Sequence, residues 1–309
     1  MEGFRIAASP APTELGRRGE RRRVARPRLL AVVILLSVAQ PCALLAQSAP
    51  EPEIRRLISS GPVESSVDVV FVGDGYSRRK AAKFWKDVDR YTKRLLEEPP
   101  FSWYKARFNV AGAFREQAAL ARILDAVQGV DIAFIMVNVE KYGGSGSVLY
   151  ARELGGRSLP APTFAAQDTT SFLIAIHELG HSFADLADEY EDSAVAARFP
   201  VPPSGDVNAP NATLPGQFDP ATFESLKRTV KWKHLLELPG AAKFKWVYEG
   251  AYYRAKGVFR PWKRCMMLSL GDPLCPVCAE EMAKVIVETC GEAWDDAAFH
   301  KKYPLSIWK

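Results

Sequence analysis

The chain is 309 residues long and 48% apolar, enough to fill one large domain or two smaller ones and to exclude a chain without a core. Its formal charge is +5, but residues 1–49 hold Arg5, Arg17, Arg18, Arg21, Arg22, Arg23, Arg26 and Arg28 against Glu2, Glu14 and Glu20, eight charges against three. The remainder is neutral overall, so the net charge gives no ground for a nucleic-acid partner, and none is expected.

The arginines lead into LLAVVILLSVAQPCALLA, residues 29–46, followed by QSAP. A basic front, an apolar centre and small residues behind it is the order of an export signal. Residues 1–49 are therefore read as a signal peptide, cut after Ala46 or Ala49, and the mature chain as secreted or periplasmic. The apolar run, about 18 residues, sits at the lower limit for crossing a bilayer. The alternative is an uncleaved anchor at residues 29–46, the one membrane contact expected. Cys42 lacks the small residues that precede a lipid-attached cysteine.

VDVVFVGDGYS, residues 67–77, is a β-branched run closed by a Gly-Asp-Gly turn and predicts a buried strand. RRKAAKFWKDVDRYTKRLLEE, residues 78–98, spaces Ala82, Trp85, Val88, Tyr91 and Leu95 three or four apart. That is the period of an amphipathic helix, and Pro99 and Pro100 stop it. RFNVAGAF (107–114) and GVDIAFIMVNV (129–139) predict two further strands around a short helical segment. The front of the chain thus reads β-α-β-α-β, an α+β fold class with an open sheet and covering helices. KYGGSGSVLYAREL (141–154) joins a glycine-rich turn to a short polar strand suited to a sheet edge. A helix over about 170–185 follows, with Asp168, Thr169 or Thr170 as its cap. Residues 193–220 carry six prolines and little periodicity, which predicts a long irregular loop. TVKWKHLLEL (229–238) and CAEEMAKVIVETC (278–290) predict helices. The chain divides into the leader 1–49, an N-terminal catalytic subdomain 50–192, and a smaller, mostly irregular and helical C-terminal subdomain 193–309.

The chemistry concentrates in AIHELGHSFADLADEY, residues 175–190. On a helix His177 and His181 lie one turn apart on one face, about 6 Å along the axis, where two imidazoles can share a zinc ion. Glu178 is displaced about 100° around the helix, out of reach as a ligand but able to reach a water at the metal as general base. A catalytic zinc needs a third protein ligand and an open position. Asp188 is the expected third ligand, with Glu189 as the alternative. The helix must end before them, and Asp185 tolerates the left-handed conformation of such a turn.

Beyond the leader, Cys265, Cys275, Cys278 and Cys290 are confined to the last fifth of the chain. In an oxidising compartment disulfides are the default, with a structural zinc on the C-x-x-C knuckle as the alternative. YGGSGS lacks the Lys-Ser/Thr of a P-loop and is read as bordering the cleft, where an edge strand could pair with an extended substrate. NAT at Asn211 fits a glycosylation acceptor, and an unmodified loop is preferred.

HELGHSFADLADEY resembles the signature of the IgA-peptidase-like zinc metallopeptidases, a family of metzincin-like fold. The resemblance runs from about residue 67 to 290 through VFVGDGYS, EEPPFSWYKARFNV and VNVEKYGGSGS upstream, and NAPNAT, VKWKHLL, YEGAYYRAKGVFRP, CMM and CPVC downstream. It implies His177, His181 and Asp188 as zinc ligands, Glu178 as catalytic acid/base, and Met266 or Met267 in a Met-turn beneath the metal. It also implies a twisted N-terminal sheet. The spacer to the third ligand is one residue longer than the usual metzincin pattern, Asp185 stands where the family would have glycine, and the segment between Asn109 and Asp131 is shorter than expected. Tyr190, Tyr252 and Tyr253 are the candidate phenols for the oxyanion. The expected activity is hydrolysis of peptide bonds in a protein or peptide substrate, with one catalytic Zn2+. The alternatives are an extracellular zinc-containing binding module without turnover, in which Glu178 would have no reason to persist, and a zinc hydrolase of a non-peptide amide.

Overall fold

The computed structural model describes residues 52–114, 127, 129–146, 148–150, 158–198, 200–202, 205–215, 225 and 229–308. The leader with Cys42, and most of the helical segment expected between residues 114 and 129, lie outside them. Among the described residues no helix is long and apolar enough to cross a membrane.

The strands, in chain order, are β1 (Glu53–Ile58), β2 (Val67–Asp74), β3 (Phe108–Phe114), β4 (Ile132–Val137), β5 (Gly144–Ser145), β6 (Val148–Tyr150), β7 (Ser158–Pro160), β8 (Thr163–Ala165), β9 (Tyr248–Ala251) and β10 (Arg254–Arg260). Six form one mixed sheet in the order β1-β3-β2-β4-β8-β5. The four inner strands run parallel, and β1 and β5 close the edges antiparallel. β2 is apolar in nearly every position because it is buried on both faces: Val69 and Phe71 join one core and Val70 and Val72 the other. β1 has no counterpart among the predicted strands. Its sequence EIRRLI is mostly exposed, and a polar edge strand gives no periodicity to read. β6 with β7, and β9 with β10, form separate antiparallel pairs.

Helix α1 (Ala81–Leu95) buries Phe84, Trp85, Val88, Tyr91 and Leu95 against the sheet, while Ala82, expected on that stripe, faces solvent. Gly112 of β3 lets α1 approach: a Cβ there would stand 2.6 Å from the Trp85 ring. The far end of α1 is pinned to the segment that leads into the next helix. Tyr91 Oη and Arg90 Nη2 both donate to the Ala166 carbonyl at 2.7 Å, and the buried Asp87 carboxylate accepts from Tyr76 Oη (2.7 Å) and Gln167 Nε2 (2.9 Å). That brace fixes where α2 (Ser171–Ala184) begins.

The second half supplies α3 (Pro276–Thr289), packed on α2, and α4 (Asp296–Lys302). The helix expected over 229–238 is instead a 3-10 turn, Lys233–Glu237. Trp232 donates to the Trp246 carbonyl at 3.0 Å, and Leu235 and Leu236 are both buried in the core. The proline-rich stretch opens with one helical turn, Ser193–Ala196, capped by Asp192, and is otherwise irregular but packed where described. Lys231 Nζ donates to the carbonyls of Val207, Ala209 (2.7 Å) and Ala212 (2.8 Å), gathering the loop around one ammonium.

Candidate active site

α2 starts on Asp168, whose Oδ1 accepts the N–H groups of Thr170 (2.8 Å) and Ser171 (3.2 Å) and so caps the helix from outside. Its apolar residues Phe172, Ala175, Ile176 and Leu179 face the main core, which turns His177 and His181 together toward the second half of the chain. The helix stops at Asp185, which adopts φ 51°, ψ 29°, and the Leu186 N–H returns to the Gly180 carbonyl at 3.1 Å. This is the left-handed closure expected at that position.

Beyond it Asp188 and Glu189 point to opposite sides. Asp188 Oδ1 lies 2.9 Å from His177 Nε2 and 3.2 Å from His181 Nε2, and the two Nε2 atoms are 3.2 Å apart. Glu189 turns away, toward Cys278 Sγ at 3.6 Å. Three of the sequence candidates are thus brought together, and the alternative third ligand is not among them.

The tautomers decide what this triangle wants. His177 Nδ1 donates to the Met266 carbonyl at 3.0 Å and His181 Nδ1 to the Leu186 carbonyl at 2.6 Å. With both Nδ1 atoms protonated, both Nε2 lone pairs and a carboxylate oxygen face one point. Three acceptors cannot satisfy one another, and a cation among them resolves the conflict. The residues therefore fit a divalent ion of the zinc class. The field has the same sign for a proton: burial opposes charging His181, yet the Asp188 carboxylate carries it up to about 9. Burial likewise pushes the Asp188 carboxyl up, and the imidazoles more than reverse it, holding it below the usual carboxylate range. His181 is 19% exposed at its side chain against 3% for His177 and Asp188, so solvent reaches the site on the His181 side.

Glu178 is buried, and burial raises its carboxyl above the ordinary value while the two imidazoles pull it back. Above it passes Gly146, just beyond β5, whose backbone amide favours the charged carboxylate. A Cβ on Gly146 would fall inside contact distance of Glu178 Oε2. The Gly143 N–H on Ser171 Oγ, 3.1 Å, ties the same strip to the start of α2. Of the three tyrosines, Tyr190 and Tyr253 lie near enough to Asp188 for its charge to act on their phenols, and Tyr190 stacks on His177 with centroids 6.4 Å apart. Burial foremost, then the Asp188 charge, pushes both phenols up. Tyr252 enters through its backbone, its N–H on the Asp188 carbonyl at 2.7 Å.

Met266 and Met267 are both buried. Met267 Sδ would stand 3.0 Å from a Cβ on Gly180, so the thioether fills the notch that glycine leaves in α2 between the two histidines. The four cysteines are free thiols, contrary to the disulfides expected. Cys265, Cys275 and Cys278 gather with Glu189, and Cys290 lies apart, beside Arg107. The glycosylation acceptor Asn211 is fully buried: its side chain holds both the N–H (2.7 Å) and the carbonyl (2.9 Å) of Ala187 and donates to Glu189 Oε1 at 3.0 Å. Sequence reading missed Asn211 and Gly146 as site-building residues. The only signal for Gly146 was the glycine density of YGGSGS.

A protein-family profile described as IgA Peptidase M64 matches residues 56–119 and 115–241. No curated protein matches the chain. The two matched segments span residues 56–241, more than half of the chain, and include the whole of α2, Asp188 and the loop that carries Asn211. The chain accordingly belongs to the IgA peptidase M64 family.

Proposed function

We propose that this family member is an exported zinc-dependent endopeptidase in which His177, His181 and Asp188 hold the ion and Glu178 is the general acid/base. The observation that carries the reading is the orientation of both imidazoles, each anchored through Nδ1 to a backbone carbonyl so that its Nε2 faces the Asp188 oxygen. Bound there, zinc would supply a Lewis acid that brings a water's pKa to about 7 and polarises the scissile carbonyl.

The protein's own groups do the rest. Glu178, covered by the Gly146 backbone, takes a proton from the attacking water and returns it to the departing amine. The raised carboxyl suits a group that must hold a proton for part of the cycle. The Tyr190 or Tyr253 phenol, both beside Asp188, would follow the developing oxyanion. Among the described residues β5 pairs with β8 on one side only, so its other edge is suited to an extended peptide, whose scissile bond would then run past Glu178. Met267 under α2, and the Met266 carbonyl on His177, support reading residues 265–269 as the Met-turn of a metzincin-like fold.

Hydrolysis of a mixed peptide library by the purified protein, with and without chelator, tests this. Chelation should abolish cleavage, and Glu178→Gln should lower kcat/KM by about 10²–10⁴-fold with zinc content unchanged. Full activity in the variant would remove Glu178 from the mechanism.

A further inference from the structure

On the side of the 188–189 segment away from the histidines, Cys265, Cys275, Cys278 and Glu189 bring four potential donor atoms within 4.8 Å of one another. None is more than 1% exposed. Cys265 Sγ and Cys278 Sγ are 3.6 Å apart, and Cys278 Sγ is 3.6 Å from Glu189 Oε1. Around a tetrahedral zinc with bonds of about 2.3 Å, two sulfurs stand about 3.8 Å apart. A disulfide between one pair would leave a third buried thiol and the carboxylate without a partner.

The carboxylate is the second observation. Glu189 Oε1 accepts from Asn211, but Oε2 is fully enclosed with no hydrogen-bond partner. Arg260 is the cation that acts on it from outside the cluster, and that guanidinium donates to the Glu249 and Gly250 carbonyls instead. Enclosing a bare carboxylate oxygen among thiols costs several kcal/mol unless a cation is bound to it.

We propose that Cys265, Cys275, Cys278 and Glu189 bind a second divalent ion of the zinc class, closed by four protein ligands and therefore structural. The ion ties three stretches of chain together. One is the segment after α2, where Glu189 follows Asp188. Another is the bend at Cys265, where the next residue's carbonyl orients His177. The last is the start of α3, where Cys275 caps the helix and Cys278 lies in its first turn. The Glu189 N–H on the Met267 carbonyl, 2.8 Å, already joins the first two. The second site holds the backbone that presents Asp188 and His177 to the first.

Metal analysis of the purified full chain tests this independently of the proposed catalysis. Zinc-loaded protein should carry two equivalents, the His177→Ala/His181→Ala variant one, and Cys275→Ser/Cys278→Ser one fewer than the unmodified chain. With cobalt(II) in place of zinc, the thiolate-to-metal charge-transfer band should persist in the histidine variant. If the cysteine variant does not fold, a mercurial titration of the unmodified protein serves in its place, and it should release one zinc as three thiols react. A single zinc lost with the histidines, or a disulfide among Cys265, Cys275 and Cys278 in a non-reduced peptide map, would overturn the proposal.

Discussion

Gly146 and Glu178 show how little a residue needs to contribute in order to matter. The backbone of Gly146 occupies the space where any side chain would meet the Glu178 carboxylate. Because the atom it would strike is the free end of a rotatable chain, Gly146→Ala should cost stability less than about 1 kcal/mol. The displaced carboxylate should nonetheless lower kcat about 10–100-fold. Parallel melting curves and peptide kinetics check this, and an unchanged kcat would mean that Glu178 is not positioned from above. At Asp185 the constraint is conformational. With φ at 51°, Asp185→Gly should hold or raise stability by up to about 1 kcal/mol, whereas the β-branched Asp185→Val should lower it by about 1–2 kcal/mol. Urea midpoints of the two variants would expose the error if they coincide.

Between elements, the brace from α1 to the entry of α2 rests on one buried carboxylate. Burial alone would push the Asp87 carboxyl up, but bonds from Gln167, Tyr76 and Lys83 outweigh it and leave it below the ordinary 3.8. A group lowered in the fold stabilises it fully above its unfolded value, and that stability is lost as the pH falls through the folded value. Asp87→Asn should therefore cost about 2 kcal/mol at pH 7, and the gap between variant and parent should close below pH 3.8. Denaturant titrations across that range would show a constant gap if the charge of Asp87 were idle. The 3-10 turn at Lys233–Glu237 is a contrasting case at this scale. Its local sequence favours a helix, but the Trp232 indole is held on the Trp246 backbone carbonyl instead.

For the molecule as a whole, the two donor clusters sit back to back across Asp188 and Glu189 and join α2, the Cys265 bend and α3, elements distant in sequence. Ions bound there act as cross-links present only in the folded state. Stripping them from loaded protein should lower Tm by about 10 °C, read by calorimetry before and after dialysis against chelator. An unchanged Tm would mean that neither cluster holds metal in solution.

What the sequence determined by itself was local. The buried strand at Val67–Asp74, the amphipathic α1, the span of α2 with His177 and His181 on one face, and the break at Asp185 follow from a continuous β-branched run, from a period of 3.6 and from one residue's φ preference. What needed the tertiary structure was everything set by partners far along the chain. Asp188 rather than Glu189 meets the histidines because these neighbours face opposite ways, and only the packed fold settles which of them faces α2. The cysteines gather on a carboxylate instead of pairing because the same bend carries Glu189 into their midst, and Asn211 is buried because the loop around Lys231 folds onto that bend. Spacing along a chain records its own turns, but not what another segment will place beside them.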